Sequence, residues 1–188
     1  GDSFEPGHEI PLQCMERLAR FEGRYGDANK ADRLYLELLS RRHELHGEDD
    51  ERSLDVLFEY VRYLREAGRY AEALEFGGDL CKQRKALPDR PVLKLIAVYR
   101  ELAEVEKLRQ IEAGALFYLN EAFALAKAKL GPGDETTLEI MWEQSGIWKI
   151  REHPTRAIEI LEEALPLAVK KLGEEDELTR TIQAELED

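Results

Sequence analysis

Two histidines and three carboxylates lie close together in the sequence, in a pattern that could bind a metal ion. His43 and His46 are three residues apart and are followed by Glu48, Asp49 and Asp50, and imidazole and carboxylate groups are common zinc ligands. The histidines lie beside a loop and lack a fixed third ligand, so a solvated helix end is the preferred interpretation. The segment also lacks the spacing of a calcium-binding loop. We therefore predict no metal site.

No other segment has the spacing of a catalytic centre. The chain has neither a phosphate-binding glycine loop nor a nucleophile elbow. Its carboxylate pairs fall on helix faces and in loops that are expected to be exposed, where burial does not tune a pKa. We predict a protein that is not an enzyme and that uses no cofactor.

The composition narrows the class of protein further. The 188 residues include 27 basic and 40 acidic side chains, for a formal net charge of -13. This charge would repel nucleic acid and favours cationic partners. The apolar runs are shorter than the roughly 18 residues of a transmembrane helix, so we predict no membrane insertion. Cys14 and Cys81 lack metal-type spacing and follow no secretory segment, which indicates buried reduced thiols and a cytoplasmic protein.

A period of 42 residues runs through the chain. One small residue type recurs at four positions with this spacing: Ala31, Ala73, Ala115 and Ala157. Three loop glycines are also spaced by 42 residues or twice that number: Gly47, Gly131 and Gly173. The position halfway between the first two holds Asp89 instead of a glycine. Each loop supplies a helix stop and then acidic residues suited to the next helix N-terminus. A period of this length is typical of stacked helical hairpins.

The apolar spacing within each period predicts two helices. First helices are expected near residues 10–22, 51–67, 91–107 and 134–151, and second helices near 27–45, 70–86, 111–130 and 154–172. A final helix follows Gly173. The repeats then cover about 10–46, 47–88, 89–130 and 131–172, followed by a capping or truncated helix at 173–188. Residues 1–9 form an N-terminal extension, and residues 10–188 form a single solenoid domain.

Two hairpins depart from this regular pattern. The third has no glycine or proline where its turn is expected, at Gln110, and a continuous or kinked helix from about 92 to 130 is the alternative. The first turn has about three extra residues after the sequence Gly23-Arg24-Tyr25.

The segment YLREAGRYAEALEFGGDLCKQRKAL, residues 63–87, resembles the tetratricopeptide repeat (TPR), in the long form typical of kinesin light chains. The resemblance covers about residues 12–180. It implies an all-α fold, an α-α superhelix or right-handed solenoid of four hairpins plus a C-terminal helix. Three polar residues depart from the usual apolar positions of the family: Glu22, Glu106 and Gln144.

The resemblance also implies a concave groove, lined by the first helices, that binds a peptide or helix of another protein. The corresponding positions here are Arg17, Arg20, Phe58, Glu59, Arg62, Arg65, Arg100, Glu101, Lys107, Trp142, Glu143 and Lys149. Two charged ladders recur at the 42-residue step, one of glutamates at 59, 101 and 143 and one of basic residues at 65, 107 and 149. A solvated charged face is the preferred interpretation of these positions. The alternative is a groove in which Phe58 and Trp142 are aromatic anchors and the glutamates favour basic residues on the partner.

The paired asparagines that kinesin light chains typically carry on their first helices are replaced here by other residues, so the same mode of cargo recognition is not expected.

An adaptor or scaffold is the preferred function. The chain begins with Gly-Asp-Ser and ends within a predicted helix, so we expect a piece of a longer protein. A sensor arm of a larger signalling ATPase or protease is therefore one alternative. Self-association is another, although a monomer is favoured.

Overall fold

The computed structural model describes residues 9–87 and 91–187, and it describes side chains from residue 11 onward. The predicted N-terminal extension, apart from Glu9, and the loop residue Asp89 lie outside the described residues.

The described residues form nine α-helices and contain no strand. The helices are α1 (Glu9–Tyr25), α2 (Ala28–His46), α3 (Glu51–Glu66), α4 (Tyr70–Ala86), α5 (Val92–Leu108), α6 (Glu112–Lys129), α7 (Glu135–Ile150), α8 (Pro154–Lys171) and α9 (Glu177–Glu187). The all-α prediction is confirmed, and each predicted helix is present within a few residues of its expected bounds.

The 42-residue period is a structural period. The second helices begin at Ala28, Tyr70, Glu112 and Pro154, each 42 residues after the one before. The four periodic alanines, at 31, 73, 115 and 157, are fully buried in these helices. A buried alanine lets a neighbouring helix approach closely, because it carries only a methyl group.

Contacts divide the chain into two compact units, Gly1–Pro88 and Asp89–Asp188. In unit 1, α1 packs against α2, α2 against α3, and α3 against α4. In unit 2, each helix from α5 to α8 packs against the next one along the chain. The expectation of a single domain stays a prediction.

Three hairpin turns have the same backbone geometry at the same repeat position. Gly68, Gln110 and Glu152 are 42 residues apart and have φ angles of 74°, 60° and 60°. In the third hairpin, the N–H of Gln110 donates to the Lys107 carbonyl at 2.9 Å, and the N–H of Ile111 donates to the Glu106 carbonyl at 2.9 Å. These are the two hydrogen bonds of a Schellman helix end. The third hairpin therefore turns at Gln110, and the alternative of a continuous helix is excluded.

The first turn is shorter than expected, and this corrects the prediction of extra residues. α1 continues through Tyr25 and α2 begins at Ala28. The carboxylate of Asp27 caps α2 by accepting a hydrogen bond from the backbone N–H of Asn29 at 2.8 Å. Glu22 also pairs with Lys30 across the turn. These contacts fix the turn directly after Tyr25, so that residues 23–25 are helical.

The three polar departures from the repeat pattern have polar partners. Glu22 pairs with Lys30 and accepts a hydrogen bond from the Asp27 backbone N–H at 3.2 Å. Glu106 pairs with Arg109 at 2.9 Å. The buried amide of Gln144 donates to the Asn120 side-chain oxygen at 2.8 Å. Since each group has a partner, these departures do not distort the fold.

The acidic loop residues act as helix caps. Asp50, Asp134 and Asp176 precede α3, α7 and α9, and each accepts a hydrogen bond from the backbone N–H two residues later, at 2.9, 3.0 and 3.0 Å. A carboxylate in this position satisfies an N–H group that has no partner within the helix.

Candidate functional site

In unit 1, charged residues of α1 and α3 are joined by ion pairs. Arg20 of α1 lies between two carboxylates: its Nη2 is 2.6 Å from Glu16 Oε1, and its Nε is 3.2 Å from Glu59 Oε2 of α3. Arg62 Nη1 lies 3.5 Å from the other oxygen of Glu59. The first glutamate of the predicted ladder therefore already has two arginine partners.

Phe58 lines a cavity on this face of unit 1. The cavity has a volume of about 310 Å³, and Arg20, Asp55 and Glu59 also line it. The Phe58 side chain is half-buried, and the guanidinium carbon of Arg84 lies 5.7 Å from its ring centroid. Phe58 thus presents part of an aromatic surface at the edge of a cavity.

Arg84 is a buried residue that the sequence interpretation did not identify. Its Nη2 donates to Asp55 Oδ1 at 2.8 Å. Burial lowers the pKa of Arg84, and the charge of Asp55 opposes that effect. Arg42 and Arg84 are 42 residues apart and buried, at the repeat position that alanine occupies in unit 2, at 126 and 168. An arginine at a position otherwise held by a buried alanine was the signal in the sequence.

The other predicted residues of unit 1 lie at the edges of this face. Arg17 is exposed on α1. Arg65 is half-buried on α3, and its Nη2 lies 3.7 Å from Glu66 Oε1.

In unit 2, Arg100 of α5 joins two glutamates of α7. Its Nη2 lies 2.6 Å from Glu143 Oε1, and its Nη1 lies 2.7 Å from Glu139 Oε2. Burial alone would lower the pKa of Arg100, but the hydrogen bonds and negative charges of Glu143 and Glu139 raise it overall. A second glutamate of the predicted ladder is therefore paired with an arginine of a neighbouring first helix.

Trp142 is in contact with α9 through Glu185. The Trp142 side chain is 37% exposed, and its Nε1–H donates to Glu185 Oε1. Lys149 Nζ lies 2.8 Å from Glu185 Oε2. Burial would raise the pKa of Glu185, but hydrogen bonds from Lys149 and Trp142 lower it overall. Glu185 lies 42 residues after Glu143. It is therefore a fourth member of the glutamate ladder that was predicted at 59, 101 and 143.

The remaining predicted positions are on α5. Glu101 is half-buried, and Lys107 pairs with Glu104 of its own helix. The structure therefore brings Arg20, Phe58, Glu59 and Arg62 together in unit 1. In unit 2 it brings Arg100 together with Glu143, and Trp142 together with Lys149.

The described residues include no group of three or more histidine, cysteine or carboxylate side chains placed to hold a metal ion. Over the same residues, no helix combines the length and the apolar composition of a membrane span. The first-helix face of unit 1 and that of unit 2 each offer aromatic surface surrounded by paired charges.

Solved structures share this fold. A protein from Podosopora anserina, described as a kinesin light chain with nearly identical TPR-like repeats, has a TM-score of 0.75 and 21% sequence identity to this chain. The match covers 95% of this chain and 85% of that one. A variant of the same protein gives a TM-score of 0.74 at 20% identity, over 95% of this chain and 84% of that one.

BtubC from P. vanneervenii has a TM-score of 0.60 at 16% identity, over 93% of this chain and 62% of that one. No protein-family model and no curated protein sequence matches the chain. The predicted fold, an all-α solenoid of TPR-like repeats similar to those of kinesin light chains, is confirmed.

Proposed function

We propose that the chain is a non-catalytic module that binds a peptide or a helical segment of a partner protein, and that it acts as an adaptor or scaffold in the cytoplasm. The TPR-like fold supports a role in protein interaction. The single observation that carries the proposal is Trp142, a large aromatic residue that stays 37% exposed on a first helix. Aromatic residues of this kind contribute strongly to protein interfaces.

Apolar contact is the expected source of affinity. Phe58 in unit 1 and Trp142 in unit 2 offer partly exposed rings. Glu59 and Glu143 are paired with arginines, so a basic residue of the partner would have to replace Arg20 or Arg100 to reach them. Exchange of one ion pair for another adds little free energy, and charge then governs orientation and encounter rate.

A peptide-display selection followed by calorimetry would test this proposal. Peptides selected on the parent protein should bind the Trp142→Ala variant roughly 30-fold more weakly, which corresponds to a loss of about 2 kcal/mol. The melting temperature should fall somewhat, because Trp142 also donates to Glu185 of α9, so affinity is measured at a temperature where circular dichroism shows that the variant is folded. Phe117→Ala is the matched control, since Phe117 is an exposed aromatic residue of the same unit on the second helix α6.

If the selected peptides bind Trp142→Ala as tightly as the parent and lose affinity for Phe117→Ala, binding takes place on the second helices. That result would exclude binding on the first-helix faces that carry Phe58 and Trp142.

A further inference from the structure

α1 carries an exposed apolar stripe. Cys14, Leu18, Phe21 and Tyr25 follow one another at intervals of four, three and four residues, which places them on one side of a helix. Cys14 is exposed, which corrects the expectation that both thiols are buried. Leu18, Phe21 and Tyr25 are 41%, 57% and 72% exposed. We call these four residues the α1 stripe. A row of large exposed apolar residues on one helix indicates an interaction surface.

The equivalent positions of α3 are covered by the helix that precedes it. Tyr60 and Tyr63 lie 42 residues after Leu18 and Phe21, and they are 2% and 5% exposed. Both rings pack against Tyr35 of α2, with centroid distances of 5.4 and 5.3 Å. The Tyr63 hydroxyl also donates to the Ala28 carbonyl of α2 at 3.0 Å. In α3, these positions are therefore a docking surface for a second helix.

The same relationship recurs in unit 2. Gln144 of α7, at the repeat position of Leu18, donates to Asn120 of the preceding second helix α6. Ile182 of α9, at the repeat position of Cys14, is fully buried in a cluster with Leu161 and Ala164 of α8. α1 thus has apolar residues at the positions where α3, α7 and α9 receive a second helix, but these residues remain exposed in the described part of the chain.

Basic residues lie along one side of the α1 stripe. Arg17 and Arg24 are seven residues apart and exposed, and helical spacing places both on the same side. A cavity of about 340 Å³ adjoins Phe21 and Tyr25, and it is lined by three arginines, including Arg24, and by two glutamates. A chain with a net charge of -13 therefore has a locally basic border at this stripe.

We propose that the α1 stripe binds an amphipathic helix of a partner protein, and that acidic residues flank the apolar face of that helix. The helix would take the position on α1 that α2 takes on α3. A second copy of this chain fits less well. In an antiparallel two-fold symmetric pair of α1 helices, the same side of each stripe faces its copy, so that Arg17 and Arg24 would approach the same arginines. This surface adjoins the first-helix face of unit 1, since Arg20, Glu59 and Arg62 also line the cavity beside Phe21 and Tyr25. Its apolar residues are different from Phe58 and Trp142, so that Phe21→Ser tests this inference and Trp142→Ala tests the proposed function.

The test uses two synthetic helical peptides of about 20 residues, long enough to span about 30 Å. Both have the same stripe of leucine and alanine, flanked by glutamate in one and by lysine in the other. Binding is measured as protection of Cys14 from a thiol reagent, because Cys14 is exposed and Cys81 is buried. The glutamate peptide should bind at least about tenfold more tightly than the lysine peptide, although the net charge of the chain favours the lysine peptide.

Variants of the α1 stripe and of its basic border separate the apolar contribution to peptide binding from the charged one. Phe21→Ser should weaken binding of the glutamate peptide by about tenfold or more. Phe117→Ser, at an exposed aromatic residue of α6, should leave the affinity for this peptide unchanged. Arg17→Glu combined with Arg24→Glu should reverse the preference between the two peptides. Circular dichroism and melting curves that match the parent would show that these variants fold.

Results of three kinds would overturn the proposal. The first is a preference of the parent for the lysine peptide, or equal binding of the glutamate peptide to the parent and to Phe21→Ser. The second is a dimer in sedimentation experiments that Phe21→Ser abolishes, because a second copy would then cover the stripe. The third is a rise of about tenfold in Cys14 reactivity when residues 1–8 are removed, because that segment would then cover it.

Discussion

Arg100 of α5 and Glu143 of α7 are joined by three hydrogen bonds, from Nε to both carboxylate oxygens at 3.1 and 3.2 Å and from Nη2 to Oε1 at 2.6 Å. The contact links the first helices of two successive hairpins within unit 2. A guanidinium group that meets a carboxylate through several donors is held more firmly than a single-point ion pair.

A double-mutant cycle with Arg100→Ala and Glu143→Ala should give a coupling energy of about 1 kcal/mol in favour of the pair. Urea denaturation of the parent, the two single variants and the double variant measures it. The control is the exposed pair of Arg156 and Glu159, which lie on one helix at 2.6 Å, and its coupling energy should be smaller. Equal coupling energies for the two pairs would mean that the contact between α5 and α7 has no special stability.

The turns at Gln110 and Glu152 should be strained, because both residues have φ near 60°. A side chain in this left-handed conformation costs roughly 1 to 2 kcal/mol relative to glycine. Gln110→Gly and Glu152→Gly should each stabilise the protein by about 1 kcal/mol. Gly68→Ala, at the same repeat position, should have the opposite effect by a similar amount. Thermal melts of the three variants measure the sign, and a lower melting temperature for both glycine variants would contradict this account.

Gly23 should be required for the contact between α1 and α3. A Cβ atom at Gly23 would lie 2.6 Å from Cδ2 of Tyr63, and this tyrosine ring is buried against Tyr35. Gly23→Ala should therefore destabilise unit 1 by about 1 to 3 kcal/mol.

Gly78→Ala is the matched control in α4, because a Cβ atom there would meet nothing within 4 Å. It should stabilise the helix by roughly 0.5 to 1 kcal/mol through the better helix propensity of alanine. Denaturant titrations compare the two variants. A loss of stability in Gly78→Ala would show that the two adjacent glycines of α4 are needed for close packing.

The contact of α9 with α7 should weaken in acid through Glu185. The pKa of Glu185 is lowered in the folded protein from its ordinary value of 4.5. Its carboxylate therefore adds stability above about pH 4.5, and this stability is lost as the pH falls through the lowered pKa.

The parent should thus be more stable than Glu185→Gln at neutral pH, and the difference in melting temperature should shrink below about pH 4.5. Glu162→Gln, at an exposed position of α8, is the matched control for the removal of one negative charge. A difference between the parent and Glu185→Gln that stays constant from neutral to acidic pH would contradict the role of this carboxylate.

The sequence by itself determined the repeat and the positions of the helices. A spacing of 42 residues between Ala73 and Ala115 identifies the same buried position in two hairpins, since a residue that must be small recurs wherever two helices approach closely. Apolar periodicity and loop glycines are local signals, because they depend on residues a few positions apart. Even the turn at Gln110 could be predicted from the period alone, although its residue type does not favour the left-handed conformation.

The tertiary structure alone decided which charges meet and which apolar residues stay exposed. Glu59 and Glu143 were candidates for contact with a partner, but they pair with Arg20 and Arg100 of neighbouring first helices. Such pairs join residues about 40 positions apart, and their formation depends on how the helices pack rather than on local spacing. Phe21 has the pattern of a buried residue and is exposed, because burial requires a neighbouring helix. For Tyr63, the residue of α3 at the same repeat position, α2 is that neighbouring helix.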